Sequence, residues 1–365
     1  MARETSASRL TPRNTIPPLQ TSNNANVSAV NTSTPATHNR THISHTSYSN
    51  NTNMNTGASS GCAEDETIAY WGSEGCYSER AAKSFMHANL KPGTQSWETR
   101  SFMLLDRLME AVSTGECSLA VLPIENSITG TFHQVLDLLT KHEVNIVGET
   151  IAHDDACLMA LPGVELKDIR NVLSHSSVLE RCETFLRKEV QAALTATTDT
   201  AGAALHIKLR ELRDTAAVAS ESVARLHNLN ILAKDIDTGD CATRYVFISK
   251  EKKCTLISGM CNKTSVIISL RNRPGALFKA LACFALRDIN VVKFESRPSN
   301  RAGALYEITR PWEYVAYVDI DGSSGEDKIK CAIDNLNELA QNVRVLGSYP
   351  VFQPAHPTAS GQRSI

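Results

Sequence analysis

This sequence contains no long apolar run and no excess of charge of either sign. Its apolar stretches fall well short of the roughly 20 residues that a membrane-spanning helix needs, so a soluble protein is predicted. The formal net charge of the 365 residues is −2, and the lysines and arginines are scattered along the chain. A nucleic-acid groove or a membrane-surface helix is therefore not indicated.

The sequence also lacks the cysteine spacing of metal sites and disulfide frameworks. Its ten cysteines are dispersed, and none of them forms a Cys-x-x-Cys pair. No pair of histidines lies near them in the sequence. We therefore predict no metal site, no disulfide framework and a reducing, intracellular compartment.

Residues 1–65 differ in kind from the rest of the chain. Serine, threonine and asparagine dominate them and apolar periodicity is missing, so this leader is predicted to be disordered. It is poor in acidic residues and contains Arg3, Arg9, Arg13 and Arg40, a composition typical of an organelle transit peptide. A low-complexity tail without targeting value is the alternative, because the asparagine content is atypical of transit peptides.

From residue 66 to residue 250, short strand patterns alternate with helical patterns. This alternation predicts an α/β fold of mainly parallel sheets with helices on both faces. The extended runs at 145–161 and 231–249 are the candidates for crossings between two such sheets. A cleft between the two sheets would follow.

The stretch VLPIENSITG at 121–130 predicts a ligand site. A buried strand ends there in a polar loop and a helical pattern follows, which is where α/β folds bind their ligands. We expect the backbone amides of this loop, with Asn126, Ser127 and Thr129, to bind a small anion, in particular a carboxylate. A capped turn without a ligand is the alternative interpretation.

After a linker at 251–262, the pattern changes to βαββαβ over residues 263–351. Pro274 stands at the start of the first helix of this segment, and Leu277, Leu281 and Phe284 form its apolar stripe. The order predicts a ferredoxin-like, α+β module. Residues 352–365 are predicted to form a disordered tail.

Five motifs of the chain, in this order, resemble those of a prephenate dehydratase. They are YWGSEGCYSE (70–79), VLPIENSITG (121–130), SHSSVLERC (174–182), TDTAGAA (198–204) and CATRYVFI (241–248). Two later motifs, RNRPGALFKAL (271–281) and FESRP (294–298), resemble the ACT regulatory domain of that family. The sequences of the motifs TDTAGAA and RVLGSYP (344–350) are similar to those of plant and algal arogenate dehydratases within the family.

The resemblance implies a catalytic region at 66–250 with two periplasmic-binding-protein-like (type II) subdomains and an active site in their cleft. It implies decarboxylative dehydration of prephenate to phenylpyruvate, or of L-arogenate to L-phenylalanine, in phenylalanine biosynthesis, with no metal or organic cofactor. A catalytically inactive amino-acid-sensing protein on the same fold is the alternative function. If the leader is a transit peptide, the location is the plastid (chloroplast stroma), and otherwise it is the cytoplasm.

The resemblance also implies roles for single residues. Thr243 matches the family's essential threonine and is expected to orient a proton or a water at the leaving hydroxyl. Substrate-binding roles are implied for Asn126, Ser174, Thr200, Arg244 and Ser78. Because Thr243 and Arg244 are neighbours in a strand, their side chains should face opposite sides, so one of the two roles is expected to be structural.

Several residues depart from the pattern of the family. Trp71 and Arg181 stand where the family usually has glutamine, and Ser176 stands where it usually has proline. These departures favour the inactive alternative, and Arg181 is expected either to bind a carboxylate or to point away from the cleft. Glu125 is expected to serve as a cap or a contact between subdomains, and His175 to lie in a turn or the core.

For the ACT domain, the resemblance implies binding of L-phenylalanine at a contact between copies of the chain. The residues implied are Gly275, Ala276, Leu277, Glu295, Ser296 and Arg297. We expect feedback regulation by L-phenylalanine and a homodimer or homotetramer, with no nucleic-acid or membrane partner.

Overall fold

The computed structural model describes residues 66–89, 97–237, 241–252, 262–298 and 313–352. The predicted leader at 1–65, positions 253–261 of the predicted linker and the tail from residue 353 lie outside the described residues. Among the residues that are described, no helix has the length and apolar character that crossing a membrane requires.

Strands and helices alternate over the first part of the chain and again over the last. The strands are β1 (Glu66–Trp71), β2 (Trp97–Phe102), β3 (Leu119–Asn126), β4 (Gly130–Thr131), β5 (Asn145–His153), β6 (Cys157–Ala160), β7 (Asn171–His175), β8 (Ala193–Thr197), β9 (Thr215–Ala219), β10 (Asn230–Ala233), β11 (Ala242–Ser249), β12 (Lys263–Ser269), β13 (Val291–Pro298), β14 (Tyr314–Asp321), β15 (Asn342–Tyr349) and β16 (Val351–Phe352). The helices are α1 (Tyr77–Asn89), α2 (Leu105–Thr114), α3 (His133–Lys141), α4 (Ser176–Arg181), α5 (Glu183–Phe185), α6 (Thr200–Arg210), α7 (Glu221–His227), α8 (Ala276–Ala285) and α9 (Asp327–Leu339). A 3₁₀ turn covers Leu166–Asp168, and a π-helical turn covers Leu186–Val190.

Two sheets build the part of the chain that was predicted to be catalytic. The first has the strand order β16-β5-β11-β3-β1-β2 with β4 beside β3, and the second has the order β10-β6-β9-β7-β8. The chain leaves the first sheet after β5 and returns to it with β11, so the two extended runs identified in the sequence do cross between sheets. The α/β class is confirmed.

The sheets are mixed, which corrects the prediction of mainly parallel pairing. Strand β11 is antiparallel to both of its neighbours, β3 and β5, and β6 is antiparallel to β9 and β10. The cause is the crossing itself. The returning strand β11 runs against the departing strand β5, and local sequence patterns do not reveal strand direction.

The C-terminal segment forms a third sheet of order β13-β14-β12-β15, with every pairing antiparallel. Its elements follow the predicted order βαββαβ, and α8 and α9 cover one face. The other face joins the core of the first sheet through Ile267, Val315, Tyr317, Leu346 and Tyr349. We call the segment 263–349 the C-terminal module.

Two features of the sequence were assigned wrongly or not at all. Strand β16 pairs with β5, so Phe352 belongs to a strand and not to the predicted tail. The sequence patterns predicted no element over 97–114, where β2 and α2 lie. Strand β2 is an edge strand in which half of the residues are exposed and none is fully buried, which weakens its pattern. The buried stripe of α2, at Leu105, Leu108, Met109 and Val112, was the signal that could have identified it.

Candidate active site

A cavity of about 550 Å³ lies between the first and second sheets. The end of β3, the start of β11 and the crossing after β5 form one side of it, and the starts of α4 and α6 form the other. Its polar lining side chains include Ser78, Asn126, Asp154, His175, Arg181, Asp199, Thr200 and Thr243, and its rings are those of Trp71, Tyr77, Phe132 and Tyr245. The structure thus brings together four predicted site residues: Asn126, Ser78, Thr200 and Thr243.

Asn126 is the last residue of β3, and both the oxygen and the nitrogen of its side-chain amide form hydrogen bonds. Its Oδ1 accepts hydrogen bonds from the backbone N–H groups of Ile128 and Thr129, each at 3.0 Å. Its Nδ2 group donates to Thr243 Oγ1 at 2.8 Å. This side chain, which is buried, therefore fixes the following loop and contacts Thr243 at the same time.

The loop after β3 does not offer free amides to an anion, which contradicts the expectation from the sequence. The N–H groups of Ile128 and Thr129 donate to Asn126, and the N–H of Ser127 donates to the carbonyl of Ala242 at 2.9 Å. Helix α3 begins only at His133. The alternative interpretation, a capped turn, describes these amides.

Thr243 lies opposite Asn126 in the pairing of β11 with β3. Its hydroxyl donates to Asp154 Oδ2 at 2.9 Å and accepts from Asn126 Nδ2. The side chain is buried in the wall of the cavity. Because the proton of the hydroxyl is already donated, the oxygen of Thr243 is available to a ligand as an acceptor.

Asp154 is a central residue of this site that the sequence analysis missed. It follows β5 in the crossing, and its N–H donates to the carbonyl of Cys241 in the returning crossing at 2.8 Å. Its Oδ2 accepts from Thr243, from Arg181 Nη1 at 2.7 Å and from Asn126 Nδ2 at 3.3 Å. Adjacent aspartates within the otherwise extended run 145–161 were the available signal, since buried carboxylates need partners.

Arg181 points into the site and does not point away from it. Its side chain is 3% exposed and belongs to the second sheet's helix α4, so its ion pair with Asp154 connects that helix to the crossing. Burial by itself lowers the pKa of Arg181, but Tyr77 and Asp154 beside it raise that pKa above its ordinary value. The guanidinium therefore stays charged. Asp237 lies 4.0 Å from its Nε, and burial raises the pKa of this carboxyl.

Thr200 is the first residue of α6 and is 7% exposed in the cavity wall. The preceding Asp199 caps the helix, because its Oδ2 accepts from the N–H of Gly202 at 2.9 Å. The same oxygen accepts from the N–H of Ser73 at 3.1 Å, so it also bridges to the loop after β1. Ser78, near the start of α1, lines the same cavity.

The last two residues of β7, in the second sheet, differ in position. His175 lines the cavity and caps α4, with its Nδ1 accepting from the N–H of Ser177 at 3.3 Å. Burial lowers the pKa of His175, so the ring is neutral near pH 7. Ser174, in contrast, is fully buried outside the cavity lining and donates to the carbonyl of Val218 at 2.6 Å. This position does not support the substrate contact implied for Ser174.

Arg244 lies on the side of β11 that faces away from the cavity, as the alternation along the strand predicts. Its Nη2 is 2.8 Å from Asp319 of the C-terminal module and 3.4 Å from Glu125, and its Nη1 is 3.7 Å from Glu149. Lys293 and Lys263 complete the cluster by pairing with Glu125 and Glu149. The implied substrate role of Arg244 is therefore corrected to a contact between the first sheet and the C-terminal module.

The six residues implied in effector binding fall into two groups. Gly275, Leu277 and Ser296 are exposed and Ala276 is partly buried, and Gly275 has a φ of 77°, which favours glycine. Glu295 and Arg297 instead contact residues of β4 and α3 in the same chain. Glu295 accepts from Thr131 Oγ1 at 2.9 Å, and Arg297 donates to both oxygens of Asp137 in α3, at 3.1 and 2.8 Å.

Comparison with known proteins gives consistent matches. The family model described as prephenate dehydratase matches residues 68–253. An Arabidopsis thaliana protein named arogenate dehydratase/prephenate dehydratase 2, chloroplastic, is 42% identical over 292 residues, which are 78% of this chain and 72% of that protein. Arogenate dehydratase 2 of Petunia hybrida is 40% identical and matches 78% of this chain and 71% of its own length.

A solved structure shares the fold. The prephenate dehydratase of Arthrobacter aurescens, solved in complex with L-Phe, aligns with a TM-score of 0.66 and 27% identity, covering 78% of this chain and 89% of that chain. The match to the family model includes every residue that lines the cavity. On this evidence, the chain belongs to the prephenate dehydratase family.

Proposed function

We propose that the chain catalyses the decarboxylative dehydration of prephenate to phenylpyruvate or of L-arogenate to L-phenylalanine. The observation that carries this proposal is that Asn126, Thr200 and Thr243, from three separate elements, line one cavity. Its volume of about 550 Å³ lies in the range of sites that enclose small organic ligands. The rings of Trp71 and Tyr245 in its wall suit a flat cyclic diene.

The reaction breaks two bonds of the substrate ring. The bond to the ring carboxylate breaks, carbon dioxide leaves, and the electron pair of that bond enters the ring. The bond to the ring hydroxyl breaks in turn, and its oxygen leaves with the electron pair, takes up a proton and becomes water. Because the product ring is aromatic, the protein mainly has to bind and orient the substrate.

Thr243 is the residue we assign to the leaving hydroxyl. Its own proton is donated to Asp154, so its oxygen accepts a hydrogen bond from the substrate hydroxyl or from a water. This favours orientation of the leaving group over direct protonation by the threonine, which is a very weak acid. Asn126 holds Thr243 from the other side.

The carboxylates of the substrate have two partners in the cavity. Arg181 supplies a buried cation with a planar fork of donors. Thr200 supplies a hydroxyl at the start of α6, where the helix dipole also favours a negative charge. The two lobes are proposed to be of the periplasmic-binding-protein type, since the chain crosses twice between their sheets.

The C-terminal module is proposed to be an ACT domain that binds L-phenylalanine as a feedback effector. Support comes from the exposed turn at Gly275, and the relative from Arthrobacter aurescens was solved with L-Phe. Exposed apolar residues on α8 and directly after it, Leu277, Phe278 and Leu286, and the position of β13 at the edge of the sheet formed by the described residues support a homodimer or homotetramer. The chloroplastic names of the Arabidopsis relatives and the composition of the leader support a plastid location.

The test is turnover of the two candidate substrates. The purified chain is incubated separately with prephenate and with L-arogenate, and phenylpyruvate and L-phenylalanine are measured. Thr243→Val should lower kcat/KM by at least about a hundredfold, as loss of one positioned polar contact does in other enzymes. Thr215→Val, at a buried strand threonine outside the cavity lining, is the matched control and should retain activity.

Absence of turnover with both compounds would reject the proposed function. In that case, the inactive sensing protein on the same fold is the alternative. Turnover that Thr243→Val leaves unchanged would reject the role of Thr243 while keeping the reaction.

A further inference from the structure

The two oxygens of Asp154 are used unequally. Oδ2 accepts hydrogen bonds from Arg181, Thr243 and Asn126, at 2.7, 2.9 and 3.3 Å. Oδ1 is also buried, but it accepts no hydrogen bond from any described residue. The side chain as a whole is 3% exposed and lines the cavity.

A buried carboxylate oxygen without a donor is energetically unfavourable. Leaving such an oxygen unsatisfied costs the desolvation free energy of the group, and charged groups cost more than neutral ones. A ligand that brings an N–H donor to Oδ1 would remove this cost. An ammonium group is the best match, because it adds a positive charge to its three donors.

The charges of the cavity point to the same kind of ligand. Among the described lining residues, the acidic side chains are Asp154 and Asp199 and the one permanent cation is Arg181. His175 is neutral at pH 7, as noted above. This lining does not carry the excess of positive charge that would favour a dianion.

Prephenate and L-arogenate differ at the group that this lining could distinguish. Both carry a ring carboxylate and a side-chain carboxylate. Prephenate has a side-chain keto oxygen, which only accepts hydrogen bonds, where L-arogenate has an ammonium group. A keto oxygen facing Asp154 Oδ1 would place two acceptors against each other, which leaves both unsatisfied.

We infer that Asp154 and Arg181 form the subsite for the amino-acid group of L-arogenate and select it over prephenate. Asp154 Oδ1 accepts a hydrogen bond from the ammonium group, and Arg181 binds the adjacent carboxylate. This inference rests on the proposed function and names the residue that determines its specificity. Asp154 keeps its second role, since its Oδ2 continues to hold Thr243.

The test is the ratio of kcat/KM for L-arogenate to kcat/KM for prephenate. A change at Asp154 can also displace Thr243, which its Oδ2 holds. Such a displacement lowers kcat/KM for both substrates and therefore cancels in the ratio. Asp154→Asn replaces the acceptor by an amide that can donate to a keto oxygen, so the ratio should fall by at least about tenfold. Arg181→Gln should lower kcat/KM for both substrates and leave the ratio within about threefold, because both carry the carboxylate.

Asp199→Asn is the matched control, because Asp199 is the other acidic residue of the cavity lining. Its described contacts are to the backbone of Gly202 and Ser73, so this variant should leave the ratio unchanged. A change of the ratio in Asp199→Asn and not in Asp154→Asn would overturn the assignment. An unchanged ratio in Asp154→Asn, in a protein that turns over both substrates, would also overturn it.

Binding decides the question if Asp154→Asn abolishes turnover altogether. The dissociation constants of L-arogenate and prephenate are then measured by calorimetry in Thr243→Val and in Thr243→Val/Asp154→Asn. Adding Asp154→Asn should weaken the binding of L-arogenate at least about tenfold more than the binding of prephenate. Equal weakening of the binding of both compounds would refute the inference. Failure of the proposed function is a distinct result, since the unmodified chain would then turn over neither compound.

Discussion

Replacement of Arg244 by methionine separates a structural role from a role in substrate binding. The side chain is 12% exposed and lies within 2.8–3.7 Å of three carboxylates, those of Asp319, Glu125 and Glu149. Lys293 and Lys263 remain to neutralise Glu125 and Glu149. Among the described side chains, Asp319 keeps the hydroxyl of Ser265, at 2.6 Å. Breaking one buried ion pair costs about 3–5 kcal/mol, and the lower end applies because two of the three acids stay paired.

We therefore expect Arg244→Met to lower the free energy of unfolding by about 3 kcal/mol in chemical denaturation. Arg107→Met is the matched control, because the pair of Arg107 with Glu110 is 62% and 54% exposed and should contribute less than about 1 kcal/mol. Adding Asp319→Asn to Arg244→Met should cost less than the sum of the two single changes, since the uncompensated charge is then removed.

The KM of the same variant distinguishes a structural role of Arg244 from a role in substrate binding. The KM of Arg244→Met should stay within about threefold of the unmodified protein, whereas loss of a guanidinium that binds a substrate carboxylate would raise it at least tenfold. A loss of stability below about 1 kcal/mol together with such a rise in KM would refute the structural role and restore the role implied by the sequence.

Three further predictions follow from single positions in the structure. A Cβ at Gly347 would lie 2.0 Å from the carbonyl oxygen of Ile146, so Gly347→Ala should lower the free energy of unfolding by about 3 kcal/mol or more in chemical denaturation. The control is Gly325→Ala, whose Cβ would lie 3.7 Å from the side chain of Ser323. Equal stability of the two variants would contradict the packing of β15 against β5. Burial holds the pKa of His142 below its ordinary value of 6.5. The unfolded chain therefore binds a proton that the folded chain does not, and the free energy of unfolding should fall as the pH drops below 6.5. His142→Asn should reduce the slope of the free energy of unfolding against pH by at most about 1.4 kcal/mol per pH unit, and an unchanged slope would contradict the lowered pKa. Burial raises the pKa of the Cys76 thiol to about 12, and Cys331 is the exposed cysteine among those described, so brief labelling of the native chain with a thiol reagent, followed by peptide mapping, should modify Cys331 and leave Cys76 unlabelled.

Local patterns predicted most of the elements that hold the site. The buried run before Pro123 predicted the strand that ends at Asn126. The alternation of strand and helix patterns over 66–250 predicted the α/β fold around the cavity. Alternation along a strand predicted that Thr243 and Arg244 face opposite sides. These predictions succeed because strand and helix periods depend only on residues that are close in sequence.

Several expectations differ from the structure because the partners of polar groups lie far away in the sequence. The amide of Ser127 was expected to bind an anion, but it donates to the carbonyl of Ala242, which is 115 residues away. Arg297 was expected to face a second copy of the chain, and it pairs with Asp137, 160 residues away. Nothing in a local pattern reveals which of several partners a polar group finds.

The amino-acid sequence by itself determined the α/β class, the family, the βαββαβ order of the C-terminal module and the position of Thr243 on its strand. Only the tertiary structure decided that Thr243 and Arg181, which are 89 and 27 residues from Asp154, share its carboxylate. The physical reason is that periodicity encodes which face of an element is buried. The pairing of buried charges depends instead on how two sheets and their crossings pack in space.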